Sequence, residues 1–472
     1  MFHVVCARFI VTQSMQLKKG ELIQIEITKI AFGGAGIGHH EEKVVFVEDT
    51  VPGDKITAKI TKIKSNFLEA ELEEIVKPSS KRITPKCKHF NECGGCSLQY
   101  LDYEEQLNFK ESQVTEALEH IGGFKNPPVE KIIGCKNPWF YRNKMEFSFS
   151  MNQTNKVFLG LHPKGYRYDV FELKECHLES DDIGILVGLV QKFAREKNLK
   201  AYNYKTNSGL LRTLTVREGK RTGERLVNLV TSHEEFLHEK EFIKLLTESS
   251  EIKKPTSIYI TKHIAKKGNK TSFEVKNIFG KPSLTEELHI NTKKKLSFDI
   301  LPDAFFQPNT LQAELLYNQV LALGKVTKRD TVYDLFCGTG TIGLFCAHKA
   351  KSVFGVDINK NAIENAEQNA KLNEITNAVY QSGDAFEIIK SREDKPNVVI
   401  VDPPRNGLGD ILCKHLLEIG AKRIVYVSCN PATLSRDLKI LCENKYKLTI
   451  VQPVDMVPHT YHIETVCKLD RL

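Results

Sequence analysis

The feature that most limits how this chain can fold is a repeating pattern of strand, turn and acidic residue that begins after residue 330. The apolar run from Thr331 to Leu335 predicts a buried strand, and it leads directly into the glycine-rich stretch from Phe336 to Gly343. Glycines at such a point permit a tight turn from strand to helix and a close approach of the backbone to a ligand. A second strand, Val353 to Asp357, follows and ends in a carboxylate. The pattern predicts an open, Rossmann-like α/β domain.

Three carboxylates follow successive predicted strands of this domain. Asp357 comes about twenty residues after the glycine-rich turn, where an acid can bond the two hydroxyls of a ribose. Asp384 and Asp402 follow later strands. The glycine spacing also fits a dinucleotide dehydrogenase, but no nearby residues suggest hydride chemistry. The set of acids instead matches the S-adenosylmethionine fold, with Asp357 on the ribose and Asp384 near the adenine.

Cys429 is the strongest candidate for a reactive side chain. Ile424 to Val427 predicts a buried parallel strand, which the pair Asn430-Pro431 ends. Cys429 is therefore expected at the carboxyl end of a strand, the edge of an open α/β sheet where ligands bind. A thiolate there is a strong nucleophile. The alternative is a small buried hydrophobic residue, since free cysteine is among the most buried residue types.

Residues 20–76 predict a small, OB-like all-β barrel. Its predicted strands are Leu22 to Ile27, Val44 to Val47, Lys55 to Ile63 and Phe67 to Ile75. Basic and aromatic residues lie along it at Lys29, Phe32, Lys43, Lys55, Lys59, Lys62, Lys64 and Phe67. Such a surface suits an RNA backbone and stacked bases, although a solvated lysine face is an equal alternative on these residues alone. With its glycine-rich first turn and a Val-Pro-Gly-Asp turn before a basic strand, the stretch resembles a TRAM domain, an RNA-binding barrel.

Three cysteines lie close together in the next segment, at Cys87, Cys93 and Cys96, with two glycines that let the backbone wrap closely. This cluster predicts a soft-metal or iron–sulfur site with one ligand still to be supplied. Cys176 is the natural fourth ligand, because the strand-rich segment between could fold it back.

The metal at this site is open to two interpretations. Four cysteines could bind zinc, but the spacing lacks the paired C-x2-C knuckles of zinc ribbons, so a four-iron four-sulfur cluster is favoured. Cys135, His89 and His177 are weaker candidates for the fourth ligand.

Five short motifs occur in an order that indicates a family. They are Phe305-Phe306-Gln307, Asp334-Leu335-Phe336-Cys337-Gly338, Asp402-Pro403-Pro404-Arg405, Ser428-Cys429-Asn430-Pro431 and the segment from Asp455 to Glu464. Together they resemble the RNA uracil-5-methyltransferase family. The resemblance is strongest to its 23S ribosomal RNA branch, whose members carry an amino-terminal TRAM barrel and an iron–sulfur cluster, and it covers the chain after residue 17.

The resemblance implies a role for each candidate residue. Cys429 is implied as the nucleophile and Glu464 as the base. The implied cluster ligands are Cys87, Cys93, Cys96 and Cys176. The implied contacts to S-adenosylmethionine are Gln307, Phe336, Thr341, Asp357 and Asp402.

The implied reaction is methyl transfer from S-adenosylmethionine to C5 of a specific uridine, most closely in 23S ribosomal RNA. Addition of the Cys429 thiolate to C6 makes C5 nucleophilic, and Glu464 then removes the C5 proton. Asp402 is expected to hold the cofactor or the uracil edge, and His459 and His462 are expected to be structural. The alternatives are a transfer RNA uridine methyltransferase and a non-catalytic RNA-binding or assembly factor. A radical methylthiotransferase would need a C-x3-C-x2-C loop that we do not find in the sequence.

Length and composition place these sites in a multidomain protein, since 472 residues are too many for one core. We predict a disordered extension over residues 1–17, the TRAM barrel over 18–77, a central α+β domain with the iron–sulfur site over 85–300, and the methyltransferase domain over 301–472. The net charge of +8 suggests an acidic partner.

The same features give an expectation for the setting in which the protein works. No apolar run reaches the ~20 residues that span a bilayer. The twelve cysteines, without a secretory signal, do not suggest a disulfide framework. We therefore expect a cytoplasmic, monomeric protein that binds RNA and no membrane.

Overall fold

The computed structural model describes residues 17–265, 271–291 and 294–472. It contains two compact units, one of the described residues up to Thr84 with Tyr100–Asp102, and one of Pro85–Gln99 with Tyr103–Leu472. The predicted disordered extension over residues 1–17 lies, apart from Leu17, outside the described residues. Among the described residues, no helix has the length and apolar character needed to cross a bilayer.

The first unit is a six-stranded sheet with its own apolar core. Its strands are β1 Leu22–Glu26, β2 Lys29–Ile30, β3 Gly36–His40, β4 Lys43–Val47, β5 Lys55–Ile63 and β6 Phe67–Lys77. The strand order is β1-β5-β6-β4-β3-β2, and β1 also packs on β3. Alternate residues of β1 and β5 point into the core, as the alternation of apolar and polar residues requires.

Two strands of this unit, β2 and β3, lie in the glycine-rich connection that the sequence analysis treated as a turn. At Gly36 an added Cβ would lie 2.0 Å from Thr50 Oγ1, and at Gly38 it would lie 2.9 Å from the carbonyl oxygen of Glu26. These glycines are therefore needed where neighbouring chain segments approach a strand closely.

The Val-Pro-Gly-Asp turn is held by a buried carboxylate. Asp54 is fully buried, and its carboxylate accepts hydrogen bonds from the backbone N–H groups of Val51 and Ser79, both at 2.8 Å. Arg82 Nη2 lies 2.5 Å from Asp54 Oδ2. The Asp54 side chain thus links the turn to the segment that leaves β6.

The lysines predicted to face RNA are partly neutralised within the unit. Three exposed ion pairs join Lys55 to Glu26 at 3.6 Å, Lys59 to Glu73 at 3.8 Å and Lys62 to Glu69 at 2.7 Å. Exposed pairs of this kind contribute little to stability, so they leave the lysines able to exchange a carboxylate for a phosphate.

The first helix of the second unit is α1, Tyr103–His120, and a seven-stranded sheet follows it. The strands and helices of this region are β7 Lys144–Met151, β8 Val157–Leu161, β9 Phe171–Glu172, α2 Ile183–Glu196, β10 Leu211–Glu218, β11 Arg225–Thr231, α3 Glu239–Glu248, β12 Ser257–Ile264 and β13 Ser272–Gly280. The order is β13-β12-β11-β10-β7-β8-β9, and α2 and α3 contribute to the apolar core on one face. A hairpin of β14 Leu284–Ile290 and β15 Lys294–Ile300 leads to the last part of the chain.

The last part of the chain forms a second seven-stranded sheet flanked by helices. Its elements are α4 Thr310–Gly324, β16 Thr331–Leu335, α5 Thr341–Ala347, β17 Ser352–Asp357, α6 Lys360–Leu372, β18 Ala378–Ser382, α7 Ala385–Lys390, β19 Val398–Val401, α8 Gly409–Ile419, β20 Arg423–Ser428, α9 Pro431–Cys442, β21 Tyr446–Val454 and β22 Glu464–Arg471. The order is β18-β17-β16-β19-β20-β22-β21, with β16 to β20 parallel and β22 antiparallel to β20. Buried strands alternate with helices, the doubly wound arrangement predicted from the sequence.

Candidate active site

The parallel strands of the second sheet bring four predicted site residues to one edge. Phe336 follows β16, Asp357 ends β17, Asp402 follows β19 and Cys429 follows β20. These strands are hydrogen-bonded neighbours with parallel register. In open α/β sheets this carboxyl edge is where ligands bind, so the four residues border one crevice.

The antiparallel strand β22 brings Glu464 to the same edge. The last pair between β20 and β22 is Ser428 with Thr465, so Cys429, the residue after β20, and Glu464, the first residue of β22, both lie at the end of this ladder. The charge of Glu464 also raises the pKa of the Cys429 thiol, which requires the two groups to lie close together. The thiol and the carboxylate, 35 positions apart in sequence, are therefore neighbours.

Burial and like charges keep protons on the groups of this site. Burial raises the pKa of Cys429 to about 11, and the negative charges of Glu464 and Asp402 add to this, while Arg405 lowers it. Burial and then Asp402 raise the pKa of Glu464 well above its usual value, and Arg405 opposes the shift. Burial raises the pKa of Asp402 to about 7. The Cys429 thiol is thus protonated near pH 7 and the pKa of Glu464 lies above its usual value, with Arg405 as the nearby cation.

The glycine-rich turn fixes the carboxylate of Asp357. Phe336, Gly338 and Gly340 all have left-handed backbone conformations, with φ of 63°, 53° and 77°. Asp357 accepts hydrogen bonds from the N–H of Gly338 at 3.0 Å and from the N–H of Asn359 at 2.8 Å. A non-glycine residue at positive φ is uncommon and typical of functional turns, and Phe336 is such a residue.

The other predicted cofactor residues occupy the ends of helices. Thr341 begins α5 and is buried. Asp384 is exposed and caps α7, where its Oδ1 accepts from the N–H groups of Phe386 and Glu387 at 2.9 and 3.2 Å. Gln307 precedes α4, a helix that packs on β19, β20 and β22, so it approaches the sheet from a different segment of the chain.

The segment between β21 and β22, which we call the base loop, runs from Asp455 to Ile463 and leads directly into Glu464. Its first residue forms a fully buried ion pair with α1, because Lys110 Nζ lies 2.5 Å from Asp455 Oδ1. Lys110 also donates to the carbonyl of Val457 at 3.1 Å, and the Tyr103 hydroxyl donates to Asp455 Oδ2 at 2.7 Å. The start of the base loop is therefore tied to helix α1.

A second group of contacts holds the middle of the base loop at His459, whose φ is 64°. The backbone N–H groups of Ser97 and Leu98 both donate to the His459 carbonyl, at 2.9 and 3.0 Å. Gln106 Oε1 accepts from the His459 N–H at 3.0 Å, and the Trp139 ring stacks on the imidazole at 3.8 Å. The peptide that follows Cys96 thus contacts the base loop, which leads into the predicted base Glu464.

The two histidines of the base loop behave as structural residues. Burial lowers the pKa of both His459 and His462 to about 4, so both imidazoles are neutral near pH 7. His459 Nδ1 lies 3.3 Å from Gln106 Nε2. A neutral ring stacked on Trp139 suits a packing role for His459.

The residues of α1 that hold the base loop were not recognised from the sequence alone. Tyr103, Gln106 and Lys110 are spaced three and four apart, so they share one face of the helix, the face that also buries Leu107 and Val114. Polar residues within a buried helical face are a signal that could have identified them, because a buried ammonium or amide needs a partner.

The four predicted cluster cysteines line one cavity of about 700 Å³. They are Cys87, Cys93, Cys96 and Cys176, all free thiols. Arg142 also lines the cavity. Burial raises the pKa of Cys176 to about 12, and Cys96 and Cys93 add to the shift, so the thiols lie close enough to influence one another.

Cys135, the weaker candidate for a fourth ligand, lies elsewhere, with its thiol donating to the carbonyl of Asn137 at 3.1 Å. His89 and His177 do line the cavity with the four cysteines. Within residues 17–265, 271–291 and 294–472, no three His, Cys, Asp or Glu side chains already form a compact group around a single metal-ion position. The cluster therefore stays a prediction.

Comparison with known proteins identifies two sequence families along the chain. A family model described as tRNA (uracil-5-)-methyltransferase matches residues 102–472, and a TRAM domain model matches residues 16–72. An uncharacterized RNA methyltransferase from Chlorobaculum tepidum is 36% identical over 97% of this chain and 98% of its own length. Another from Clostridium acetobutylicum is 37% identical, with the same coverage of 97% and 98%.

The fold has a close counterpart among solved structures. The Pyrococcus abyssi tRNA (uracil-54, C5)-methyltransferase, solved in complex with S-adenosyl-L-homocysteine, superposes with a TM-score of 0.74 and 27% identity. The match covers 95% of this chain and 100% of the other chain. The similarity therefore extends over both compact units.

Proposed function

Since the chain belongs to the tRNA (uracil-5-)-methyltransferase family and is an RNA methyltransferase, we propose that it methylates C5 of a uridine through a covalent bond between Cys429 and C6. The observation that carries the proposal is the antiparallel pairing of β20 with β22, which brings Cys429 and Glu464 together at the carboxyl edge of the sheet. C5 methylation needs this pair, because the ring carbon must first be activated by a nucleophile and must then lose its proton.

The residues at the edge fit S-adenosylmethionine. Asp357 ends β17 with its carboxylate held between the glycine-rich turn and α6, as a ribose-binding acid requires. The fully buried Asp334 and the half-buried Asp402 have pKa values raised to about 8 and about 7, chiefly by burial, and a cation bound beside them would favour their ionised forms. We therefore propose Gln307, Phe336, Thr341, Asp357, Asp384 and Asp402 as the cofactor contacts. When bound, the sulfonium supplies the electrophilic methyl group.

Each step of the proposed reaction uses a group on this chain. The Cys429 thiol releases its proton to solvent and the resulting thiolate adds to C6 of the uracil, which places the electron pair on C5 and on the C4 oxygen. Arg405 is the cation beside both Cys429 and Glu464, and it favours the thiolate. After C5 has gained the methyl group, Glu464 as carboxylate takes the C5 proton. The C6–sulfur bond then breaks, the ring double bond returns and the cysteine is released.

Two substitutions test the covalent route. Cys429→Ala should abolish transfer of labelled methyl groups to RNA while binding of S-adenosylmethionine survives. Glu464→Gln should allow addition but block proton removal, so a protein–RNA adduct should accumulate on a denaturing gel. Cys442→Ala, which removes another partly buried thiol of the same sheet unit, serves as the matched control. Normal turnover of either Cys429→Ala or Glu464→Gln would exclude the mechanism.

We also propose that Cys87, Cys93, Cys96 and Cys176 hold a four-iron four-sulfur cluster. The support is that four free thiols from separate parts of the chain line one cavity of about 700 Å³. Cysteine thiolates are the usual ligands of such clusters. When bound, the cluster would join the Cys87–Cys96 segment to the strand region around Cys176, and the methyl transfer, being redox neutral, draws no electron from it.

Iron content tests the cluster directly. Anaerobically purified Cys176→Ser protein should lose iron and the brown absorbance, whereas Cys135→Ser protein should keep both, because the Cys135 thiol bonds to Asn137 outside the cavity. Zinc in place of iron in the unmodified protein, or full iron in the Cys176→Ser variant, would contradict the assignment.

The RNA substrate that we propose is 23S ribosomal RNA, the substrate of the branch that the sequence motifs and the cysteine cluster resemble most. Transfer RNA is the second candidate, because the Pyrococcus abyssi counterpart is a tRNA (uracil-54, C5)-methyltransferase. Mapping of 5-methyluridine in both RNA classes from a deletion strain distinguishes the two, since only the true substrate loses the modification.

A further inference from the structure

A cluster of aromatic and arginine side chains, which we call the aromatic platform, lies at the surface of the second unit. Its residues are far from Cys429 in the sequence. It consists of Arg167, Tyr168, Tyr202, Tyr204 and Arg212. The rings of Tyr202 and Tyr204 meet edge to face at 5.2 Å, and those of Tyr168 and Tyr204 are 6.5 Å apart. Tyr168 is 76% exposed and Tyr204 is 60% exposed. Large rings left in water at one place mark a binding surface.

The arginines lie against these rings. The guanidinium of Arg212 is 4.2 Å from the centre of the Tyr202 ring and 4.9 Å from that of Tyr204. The guanidinium of Arg167 is 5.9 Å from the Tyr168 ring. Cation–π contacts of this kind hold the rings in place.

The backbone around the platform is built to present these side chains. An irregularity in the register of β10 between Leu211 and Thr213 displaces Arg212 from the regular ladder. Asn203 Oδ1 accepts from the N–H groups of Lys205 and Thr206 at 2.8 and 3.2 Å, which fixes the turn that carries Tyr204. The Tyr202 hydroxyl donates to Asn207 at 2.9 Å.

The two charged side chains of the platform, Arg167 and Arg212, are both positive. Residues 197–217 contain five basic residues and no Asp or Glu, although Lys197 pairs with Glu241 at 3.2 Å and Arg217 is buried. Among the described residues, no carboxylate forms an ion pair with Arg167, Lys200, Lys205 or Arg212, in contrast to the paired lysines of the first unit. A surface of exposed aromatic rings and of cations without ion-pair partners suits single-stranded nucleic acid, which is a polyanion with flat bases.

We propose that the aromatic platform binds unpaired nucleotides of the RNA substrate by base stacking, a role that rests on the proposed function because that function makes RNA the substrate. β10 connects the platform to the active-site side of the unit. Arg217, five residues after Arg212, donates to the carbonyls of Pro302 and Ala304, just before Gln307. Five strand residues span roughly 17 Å. The platform therefore holds RNA at a distance from the target uridine and selects substrates with an unpaired segment there.

The test measures RNA binding without S-adenosylmethionine, by fluorescence anisotropy with a labelled single-stranded RNA oligonucleotide and with a hairpin of the same length. Tyr204→Leu and Tyr168→Leu should each weaken single-strand binding about 5- to 150-fold, the range for one lost base–aromatic stack. Tyr204→Phe keeps the ring and should bind normally. Leu237→Ala, which changes another highly exposed apolar side chain, at 80% exposure, is the matched control.

A second measurement separates stacking from charge. Arg212→Gln should lower the slope of log affinity against log salt by about 0.7, the value for one lost contact to a single strand. Single-strand affinity within twofold of the unmodified protein in both leucine variants would overturn the proposal, as would equal losses for the hairpin duplex. Absence of methyl transfer by the unmodified protein, together with loss of RNA binding in the leucine variants, would instead contradict the proposed reaction and leave the platform supported.

Discussion

Replacement of Lys110 by methionine tests whether helix α1 holds the base loop in position for catalysis. The Lys110 and Asp455 side chains are both 0% exposed and lie 2.5 Å apart. Lys110→Met would leave the Asp455 carboxylate buried with only the Tyr103 hydroxyl as a hydrogen-bond donor among the contacts described above. Removal of one partner from a buried ion pair costs about 3–5 kcal/mol. We expect a local destabilisation of that size in the base loop.

The chain offers a natural reporter for this experiment, because its single tryptophan, Trp139, stacks on His459 within the base loop. Urea unfolding followed by Trp139 fluorescence should show a midpoint shift for Lys110→Met. In a double-mutant cycle, Lys110→Met combined with Asp455→Asn should cost less than the sum of the single changes by about 1–3 kcal/mol, since the two residues are in contact.

The same variant has an expected catalytic signature. A displaced base loop moves Glu464, so proton removal should slow and the protein–RNA adduct should persist longer than in the unmodified enzyme, while binding of S-adenosylmethionine is retained. A Lys110→Met protein whose free energy of unfolding lies within ~0.5 kcal/mol of the original value, and whose turnover is normal, would refute the reasoning.

Three further predictions follow from other parts of the structure. Alkylation of Cys429 by iodoacetamide should accelerate about tenfold per pH unit between pH 7 and pH 10, because its pKa is raised to about 11 and only the thiolate reacts; a plateau below pH 9 would contradict this. Gly340→Ala should weaken S-adenosylmethionine binding in calorimetry, because an added Cβ would lie 2.8 Å from the Tyr380 hydroxyl and the residue has a φ of +77°. Gly188 lies in open space on α2, so Gly188→Ala should instead raise the free energy of unfolding by about 0.5–1 kcal/mol. Asp54→Ala should destabilise the first unit by about 3–5 kcal/mol, measured as faster proteolysis between residues 17 and 84, because Arg82 would lose its buried partner; unchanged proteolysis would exclude that role.

Local sequence signals were sufficient for the elements that depend on short-range patterns. The turn after β16 follows from glycines at positive φ, and Asp357 follows from the end of a buried strand. The weakest local prediction was the glycine-rich connection of the first unit, because the glycines of β3 serve close approach within a sheet instead of a turn.

The relation between distant segments could not be obtained in this way. The sequence determined that Cys429 lies at the carboxyl end of a strand and that four cysteines are available for one site. Only the tertiary structure decided that the antiparallel pairing of β20 and β22 brings Cys429 and Glu464 together and that α1 ties down the base loop through Lys110. The physical reason is that turns, caps and strand ends depend on residues a few positions apart. Strand register and buried ion pairs depend instead on which surfaces become adjacent when the whole core packs.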